Sequence, residues 1–377
     1  MIGPATVQCA LQRFAPKRLD AHRRKITRRL CACHTPAMGG IEAQCDVCGD
    51  EPAWYHGCRD RHCPQCQGRA TRRWAERQHE QLLPVRYFHV VFTLPHHLNG
   101  WVELHPEVIY RLLFEAVWTT LRTFGRDPKR LNGQMGMSAV LHTWGQNLSR
   151  HVHLHCLVPG GALGDDGRWH AARSTYLFPV KALSRHFRGT MVRLLRQAVR
   201  QGRLKRVTRP REVDRVLNQL MAMEWVVYSK HCLKHAESVV EYLARYTHKI
   251  AITDARILRV DDERVTLRYK DYADHDRHKT LTLEGPEFAR RFLMHIVPKG
   301  LMRVRHFGFL ANRCRKRKLA CTRAALADRE EPDRRKRPKR LAPPVEWTCR
   351  VCGKGRLTIR KRLPAIRSRP WRSGPPG

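Results

Sequence analysis

Three histidines alternate in the run His151-Val152-His153-Leu154-His155-Cys156. On a β-strand residues two apart share a face, so the imidazoles point one way while Val152, Leu154 and Cys156 point the other. The apolar face packs on a core, and the imidazole face is left to whatever sits above the sheet. Residues 137–146 read as a partner strand, joined by the short polar connection Asn147-Leu148-Ser149-Arg150. A turn at 147–150 puts His142, Trp144 and Gln146 on the imidazole face. Neutral nitrogen and amide ligands gathered around one point suit a divalent ion. A lone His-x-His pair is also compatible with plain polar surface, so the partner strand matters.

A second group lies in Glu241-Tyr242-Leu243-Ala244-Arg245-Tyr246-Thr247-His248-Lys249. Tyr242 and Tyr246 are four apart, so on a helix both phenols project from one face about a turn from each other. An amphipathic helix burying Val239, Tyr242, Leu243 and Tyr246 has the same spacing. Tyrosine is a poor nucleophile at neutral pH: with a pKa near 10, about one phenol in a thousand is ionised, a deficit on the order of 4 kcal/mol. A metal ion on a phosphoryl oxygen and a nearby cation such as Lys249 offset that deficit.

Cysteine supplies a third chemistry. Of the 14 cysteines, eight lie between Cys9 and Cys66. Cys45-Asp46-Val47-Cys48 is followed, after fourteen residues, by Cys63-Pro64-Gln65-Cys66. Two such knuckles converge on one tetrahedral zinc, each thiolate about 2.3 Å from the ion. Cys45, Cys48, Cys63 and Cys66 are therefore the expected structural zinc ligands. Cys31, Cys33, His34, Cys58 and His62 are left over, to complete a second site or trade places with one of the four. Cys349-Arg350-Val351-Cys352-Gly353 is a single knuckle with no obvious partner pair.

The elements that must position these groups are legible in outline. Residues 68–83 have helical periodicity with a basic face and stop at Pro84; 87–94 read as a buried strand ending at Pro95. Helices are expected at 106–124, which starts with a proline, and at 180–201, 211–223, 235–249 and 286–295, with short strands at 250–260 and 264–270. From Met302 the composition shifts: residues 301–377 hold 24 Lys and Arg against 5 Asp and Glu. Arg334-Arg335-Lys336-Arg337-Pro338-Lys339-Arg340 reads as a solvated, disordered arm.

Length and charge set the outer bounds. The chain has 377 residues, enough for about two domains, and a formal net charge of +40. A field of that sign attracts polyanions, so nucleic acid is the first partner to consider and an anionic membrane the second. The membrane reading fails, because no run approaches the ~18 apolar residues a spanning helix needs and residues 1–20 lack an apolar signal core. A hydrophobic content of 42% is enough for real cores. The expectation is a cytoplasmic, DNA- or RNA-directed globular protein.

In order along the chain, Phe92-Thr93-Leu94-Pro95, His153-Leu154-His155 and Tyr242-x-x-x-Tyr246 resemble the three motifs of the HUH endonucleases. The Cys-rich N-terminus, Trp144-Gly145-Gln146, Pro159-Gly160-Gly161 and Phe307-Gly308-Phe309-Leu310-Ala311-Asn312 are similar to the two-tyrosine transposases of the insertion-sequence ninety-one type. The likeness covers about residues 33–319. It implies an α+β fold, an HUH palm of antiparallel sheet with flanking helices, preceded by a small zinc-binding domain. It also implies domain bounds of 1–83 for the zinc module, 84–319 for the catalytic part and 320–377 for a basic tail.

By the same resemblance, His153 and His155 are ligands of a catalytic Mg2+ or Mn2+, Tyr242 and Tyr246 are nucleophiles, and structural Zn2+ sits in the N-terminal module. No motif fixes the third ligand; Gln146 is the first choice, with His142 and His151 as rivals. The implied reaction is transposition of a bacterial element, with single-stranded element ends and target DNA as partners in the nucleoid. A phenol attacks a phosphodiester to leave a 5′-phosphotyrosine and a 3′-hydroxyl, and the covalent link conserves the bond for rejoining. The basic surface handles the backbone, and Trp144 offers a stacking plane for a splayed base. A replication initiator or relaxase shares this chemistry but usually carries an appended module, and no Walker-type phosphate loop is present. A non-catalytic zinc-dependent DNA-binding regulator leaves the histidines and tyrosines unexplained.

Overall fold

The computed structural model describes residues 5–172, 176–207, 209–231, 240, 244, 251–272, 274–327 and 347–366. They group into two compact units: 1–68 with 252–293 and 332–377, and 69–251 with 294–331. Each is taken by itself.

The chain starts with α1 (Val7–Phe14), capped by the Thr6 hydroxyl, and α2 (Ala21–Cys31), whose Asp20 carboxylate accepts from the Arg23 N–H. Then come β1 (Gly40–Cys45), β2 (Ala53–Tyr55) and α3 (Gln67–His79). The next stretch holds β3 (Tyr87–Thr93), α4 (Asn99–Leu104), α5 (Pro106–Arg126), β4 (Gly136–Trp144) and β5 (Arg150–Pro159). A small hairpin of β6 (Gly161–Leu163) and β7 (Trp169–Ala171) precedes α6 (Val180–Arg200), α7 (Pro210–Ala222) and β8 (Val227–His231). After these lie β9 (Ile257–Val260), β10 (Arg264–Asp271), β11 (Arg277–Glu284), α8 (Gly285–Met294), β12 (Val304–Gly308), α9 (Arg315–Ala327) and β13 (Leu357–Leu363). The fold is α+β, with antiparallel sheets throughout.

The larger unit is built on a five-stranded antiparallel sheet in the order β12-β4-β5-β3-β8. Period-two alternation divides its side chains cleanly. Phe88, Val90 and Phe92 of β3, Ala139 and Leu141 of β4 and Leu154 and Cys156 of β5 go to one side. There they share a core with Ile109, Leu113 and Val117 of α5 and Phe187, Met191 and Leu195 of α6. Phe92 meets Phe187 edge-on at 5.1 Å, and each fully buried phenylalanine contributes roughly 1.5–3 kcal/mol. With one face anchored in this way, a one-residue slip would push the phenylalanines into solvent, so the register of the opposite face is fixed as well.

The smaller unit combines α1 and α2 with two three-stranded sheets, β13-β1-β2 and β11-β10-β9, the second followed by α8. This differs from the expected bounds of 1–83, 84–319 and 320–377. Residues 252–293 group with the smaller unit, and 347–366 carry β13, which pairs with β1 from Gly40↔Leu363 to Cys45↔Leu357. Composition misleads here: the basic residues of β13 sit on exposed edge-strand positions, where a ladder needs only its backbone. The arm Arg334–Arg340 lies outside the described residues. Among the described residues no helix is long and apolar enough to cross a membrane.

Candidate metal centre and cysteine sets

The anchored sheet leaves its other face to histidine. His142 of β4 lies directly opposite His153 of β5, Val140 opposite His155, and Val91 of β3 flanks His155 from the other side. The side-chain nitrogens of His142, His153 and His155 all lie within 4.8 Å of one another. The ring centroids of His142 and His155 are 4.2 Å apart and those of His153 and His155 4.8 Å.

Hydrogen bonds aim the rings. His153 Nδ1–H donates to the His151 carbonyl at 2.9 Å, which leaves the lone pair on Nε2. His155 Nδ1 is 2.8 Å from Nε2 of His89, and the two rings stack 5.0 Å apart. Burial pushes the His89 imidazole down to about 4. Burial, then the neighbouring His151, lowers His153 to about 3. His155, 8% exposed, is also held far below the usual histidine range, by burial first and then by His153. Neutral imidazole is the form that ligates a metal. Three such nitrogens on one spot fit a divalent first-row transition ion.

The expected ligand Gln146 lies in the turn beyond the ladder, and the physical reason is a register shift. A bulge between His142 and Trp144 pairs Trp144 with Arg150, so the turn occupies 145–149 rather than 147–150. That turn is built by the Asn147 carboxamide accepting from the Ser149 N–H and by buried Leu148 at φ +63°, with the Leu148 carbonyl 3.1 Å from His295 Nε2. His142, a rival in the sequence, takes the position opposite His153. His151 contacts His153 at 4.9 Å and His96 at 5.5 Å. Sequence reasoning missed His89 because it interrupts an otherwise apolar strand. Tyr242, Tyr246 and Lys249 lie outside the described residues. Of their stretch, Val240 and Ala244 are described, and both are buried in a cluster with Leu157, Tyr87 and Trp74. Leu157 is two residues past His155, on the same face of β5.

Eight of the described cysteines fall into two sets, and the expected quartet is divided between them. Cys63 and Cys66 gather with Cys33 and Cys58. Cys45 and Cys48 gather with Cys349 and Cys352. The reason is where the strands run. Cys33 follows the C-terminus of α2 and Cys66 precedes α3, whereas β1 carries Cys45 to the knuckle that β13 brings alongside. In the first set Cys33 Sγ lies 3.4 Å from Cys66 and 3.5 Å from Cys63, and Cys58 lies 3.8 Å from Cys66. Hydrogen bonds from Cys58 and then Cys63 hold the Cys33 thiol below its ordinary value. A Cβ at Gly57 would stand 2.9 Å from Cys66 Sγ, so glycine leaves room for the set. His62, another leftover, is instead 2.8 Å from the Asp60 carboxylate, which also faces Arg29.

Comparison with known proteins gives the class to which these clusters belong, a transposase with a zinc-binding domain. Residues 136–318 match the family described as putative transposase, and residues 6–94 match the transposase zinc-binding domain. The putative transposase y4qJ of Sinorhizobium fredii is 42% identical over 315 residues, covering 82% of this chain and 79% of that protein. The transposase for insertion sequence element IS801 of Pseudomonas savastanoi pv. phaseolicola is 28% identical over 304 residues, 76% of this chain and 69% of that one. No solved structure matches. The chain belongs to the IS91 family of insertion-sequence transposases.

Proposed function

We propose that this transposase is a two-tyrosine HUH enzyme that cleaves and rejoins single-stranded DNA by rolling-circle-type transposition. The observation that carries the reading is the cluster of His142, His153 and His155 on one face of an antiparallel sheet. Val240 and Ala244, either side of Tyr242, are buried against that same face, which supports assigning the nucleophiles to this stretch.

In this reading His142, His153 and His155 hold Mg2+ or Mn2+, with His142 in the place first expected for Gln146. When bound, the ion polarises the scissile phosphate. Tyr242 or Tyr246 attacks the phosphorus through its phenolate oxygen, the O3′ bond breaks, and the DNA is left as a 5′-phosphotyrosine with a free 3′-hydroxyl. The phenolic proton goes to solvent, the leaving 3′ oxygen takes one up from solvent, and Lys249 stabilises the phenolate. Attack by a 3′-hydroxyl reverses the step and frees the tyrosine. The net charge of +40 gives backbone affinity that depends on salt rather than sequence.

The test is covalent capture. The chain is incubated with a single-stranded oligonucleotide spanning an element end, with Mn2+, and the adduct is located by peptide mass spectrometry. A DNA-linked peptide containing Tyr242 or Tyr246, lost in the His142→Ala chain while filter-binding affinity stays near wild type, is expected. An adduct on another residue, or equal loss of binding and cleavage, would overturn the assignment.

A further inference from the structure

The four sulfurs of Cys45, Cys48, Cys349 and Cys352 lie within 4.8 Å of one another, yet they come from opposite ends of the chain. Cys45 Sγ is 3.7 Å from Cys352 and Cys48 Sγ is 3.6 Å from Cys349. A disulfide would need about 2.05 Å. Four thiolates about 2.3 Å from one tetrahedral zinc are about 3.8 Å apart along each edge, close to the separations seen. We infer that these four cysteines bind a second structural zinc ion, one that fastens the C-terminal segment into the N-terminal module.

The two knuckles repeat each other. Both read Cys-x-Val-Cys-Gly, at 45–49 and 349–353, and both end on a glycine in the left-handed region, Gly49 at φ +73° and Gly353 at φ +67°. In each, the glycine N–H donates to the first cysteine's carbonyl, at 3.2 Å for Gly49 and 3.0 Å for Gly353. Backbone N–H groups aim at the sulfurs: Val47 and Cys48 at Cys45 Sγ, 3.4 and 3.5 Å, and Gly355 at Cys352 Sγ, 3.3 Å. Such bonds orient and stabilise thiolate ligands. Asp46 and Arg356 bind the knuckles to each other, the Arg356 N–H to the Asp46 carboxylate at 2.8 Å and the Asp46 N–H to the Arg356 carbonyl at 3.1 Å. A Cβ at Gly355 would collide with Cys45 Sγ. Binding releases the four thiol protons to solvent and leaves a site of net −2, next in sequence to Arg350, Lys354 and Arg356.

The fold also needs this clasp. β13 exposes Thr358, Ile359, Arg360, Lys361 and Arg362 and buries no side chain fully, so apolar packing does not hold it on β1. A strand that buries no side chain adds little apolar packing of its own to a three-stranded sheet. The zinc-binding region matched at 6–94 contains only Cys45 and Cys48 of the four.

The test uses the full-length chain. Native mass spectrometry should find two zinc ions, and thiol alkylation during a chelator titration should release Cys45, Cys48, Cys349 and Cys352 together, apart from Cys33, Cys58, Cys63 and Cys66. Cys48 is exposed, so its protection before chelation reports metal rather than burial. Cys349→Ser/Cys352→Ser and Cys45→Ser/Cys48→Ser chains should each retain one zinc. One zinc in the wild-type chain, or Cys48 and Cys352 labelling as fast as exposed Cys321 before chelator, would overturn the inference.

Discussion

His89→Phe isolates how the clustered imidazoles are held. The replacement ring keeps most of the volume and apolar packing but removes the 2.8 Å partner of His155 Nδ1. If His155 presents Nε2 to an ion, its Nδ1 carries the proton and donates to His89. His155 is buried, so loss of this hydrogen bond there costs about 1–3 kcal/mol. That corresponds to about a 5- to 150-fold loss of affinity, in line with the roughly 10- to 100-fold lost when a partner behind a metal ligand is removed. The assay is Mn2+ titration by calorimetry, together with cleavage of a labelled oligonucleotide across Mn2+ concentrations. The Mn2+ dissociation constant should rise by about one to two orders of magnitude, while the cleavage rate at saturating Mn2+ recovers to near wild type. His89→Gln, whose amide oxygen can accept the same bond, should restore much of the affinity. Unchanged Mn2+ affinity in His89→Phe, or a rate that saturating Mn2+ does not rescue, would refute the positioning argument.

Tyr242→Phe and Tyr246→Phe should each block complete transposition in a donor–target assay, even where one still nicks an oligonucleotide, because strand transfer needs a second phenol while the first holds its 5′ end. Phenylalanine keeps the packing of a core stripe, so normal transposition by both variants would make the pair structural. Replacing the basic residues of 334–340 by glutamine should lower the slope of log affinity against log salt by about one unit per lost phosphate contact; an unchanged slope would make the arm a bystander. His153 sets a pH dependence for the metal-free chain. Its folded value, about 3, lies below the ordinary 6.5, so between these the unfolded chain binds the extra proton. Stability should be full above about pH 6.5 and fall as pH drops towards 3. Urea midpoints measured across that range should show a flatter fall in His153→Gln.

The histidine alternation in 151–155 was readable because one face of β5 is pinned by Val152, Leu154 and Cys156, and a pinned face makes period two dependable. The far end of the same hairpin was not readable. One bulge between His142 and Trp144 re-paired the strand and moved Gln146 into the turn, and nothing in the alternation marks where a ladder skips a residue. His89 was hidden for the opposite reason: Tyr87-Phe88-His89-Val90-Val91-Phe92 is apolar enough to pass for a strand buried on both sides, whereas His89 belongs to the half-buried face. The cysteines show how spacing favours near neighbours. Two knuckles fourteen residues apart looked like a pair, while the repeated Cys-x-Val-Cys-Gly at 45 and 349 carried the better signal. Only the pairing of β13 with β1 makes that second likeness spatial.

The composition of the histidine face bears on the substrate. A phosphodiester is an anion, and carboxylate ligands around an ion would cancel its charge and repel the DNA at close range. Three imidazoles held neutral by burial cancel none of it, so an ion bound by His142, His153 and His155 would present its full double charge to the phosphate. Burial works twice here: it keeps protons from competing for the nitrogens, and it lowers the local dielectric in which the ion meets the phosphate. On the proposed mechanism, the apolar core on the other side of the sheet would therefore be part of the chemistry. Phe88, Phe92 and Leu154 fix which residues turn to the histidine face, and burial decides in what protonation state those imidazoles would meet an ion or a phosphate.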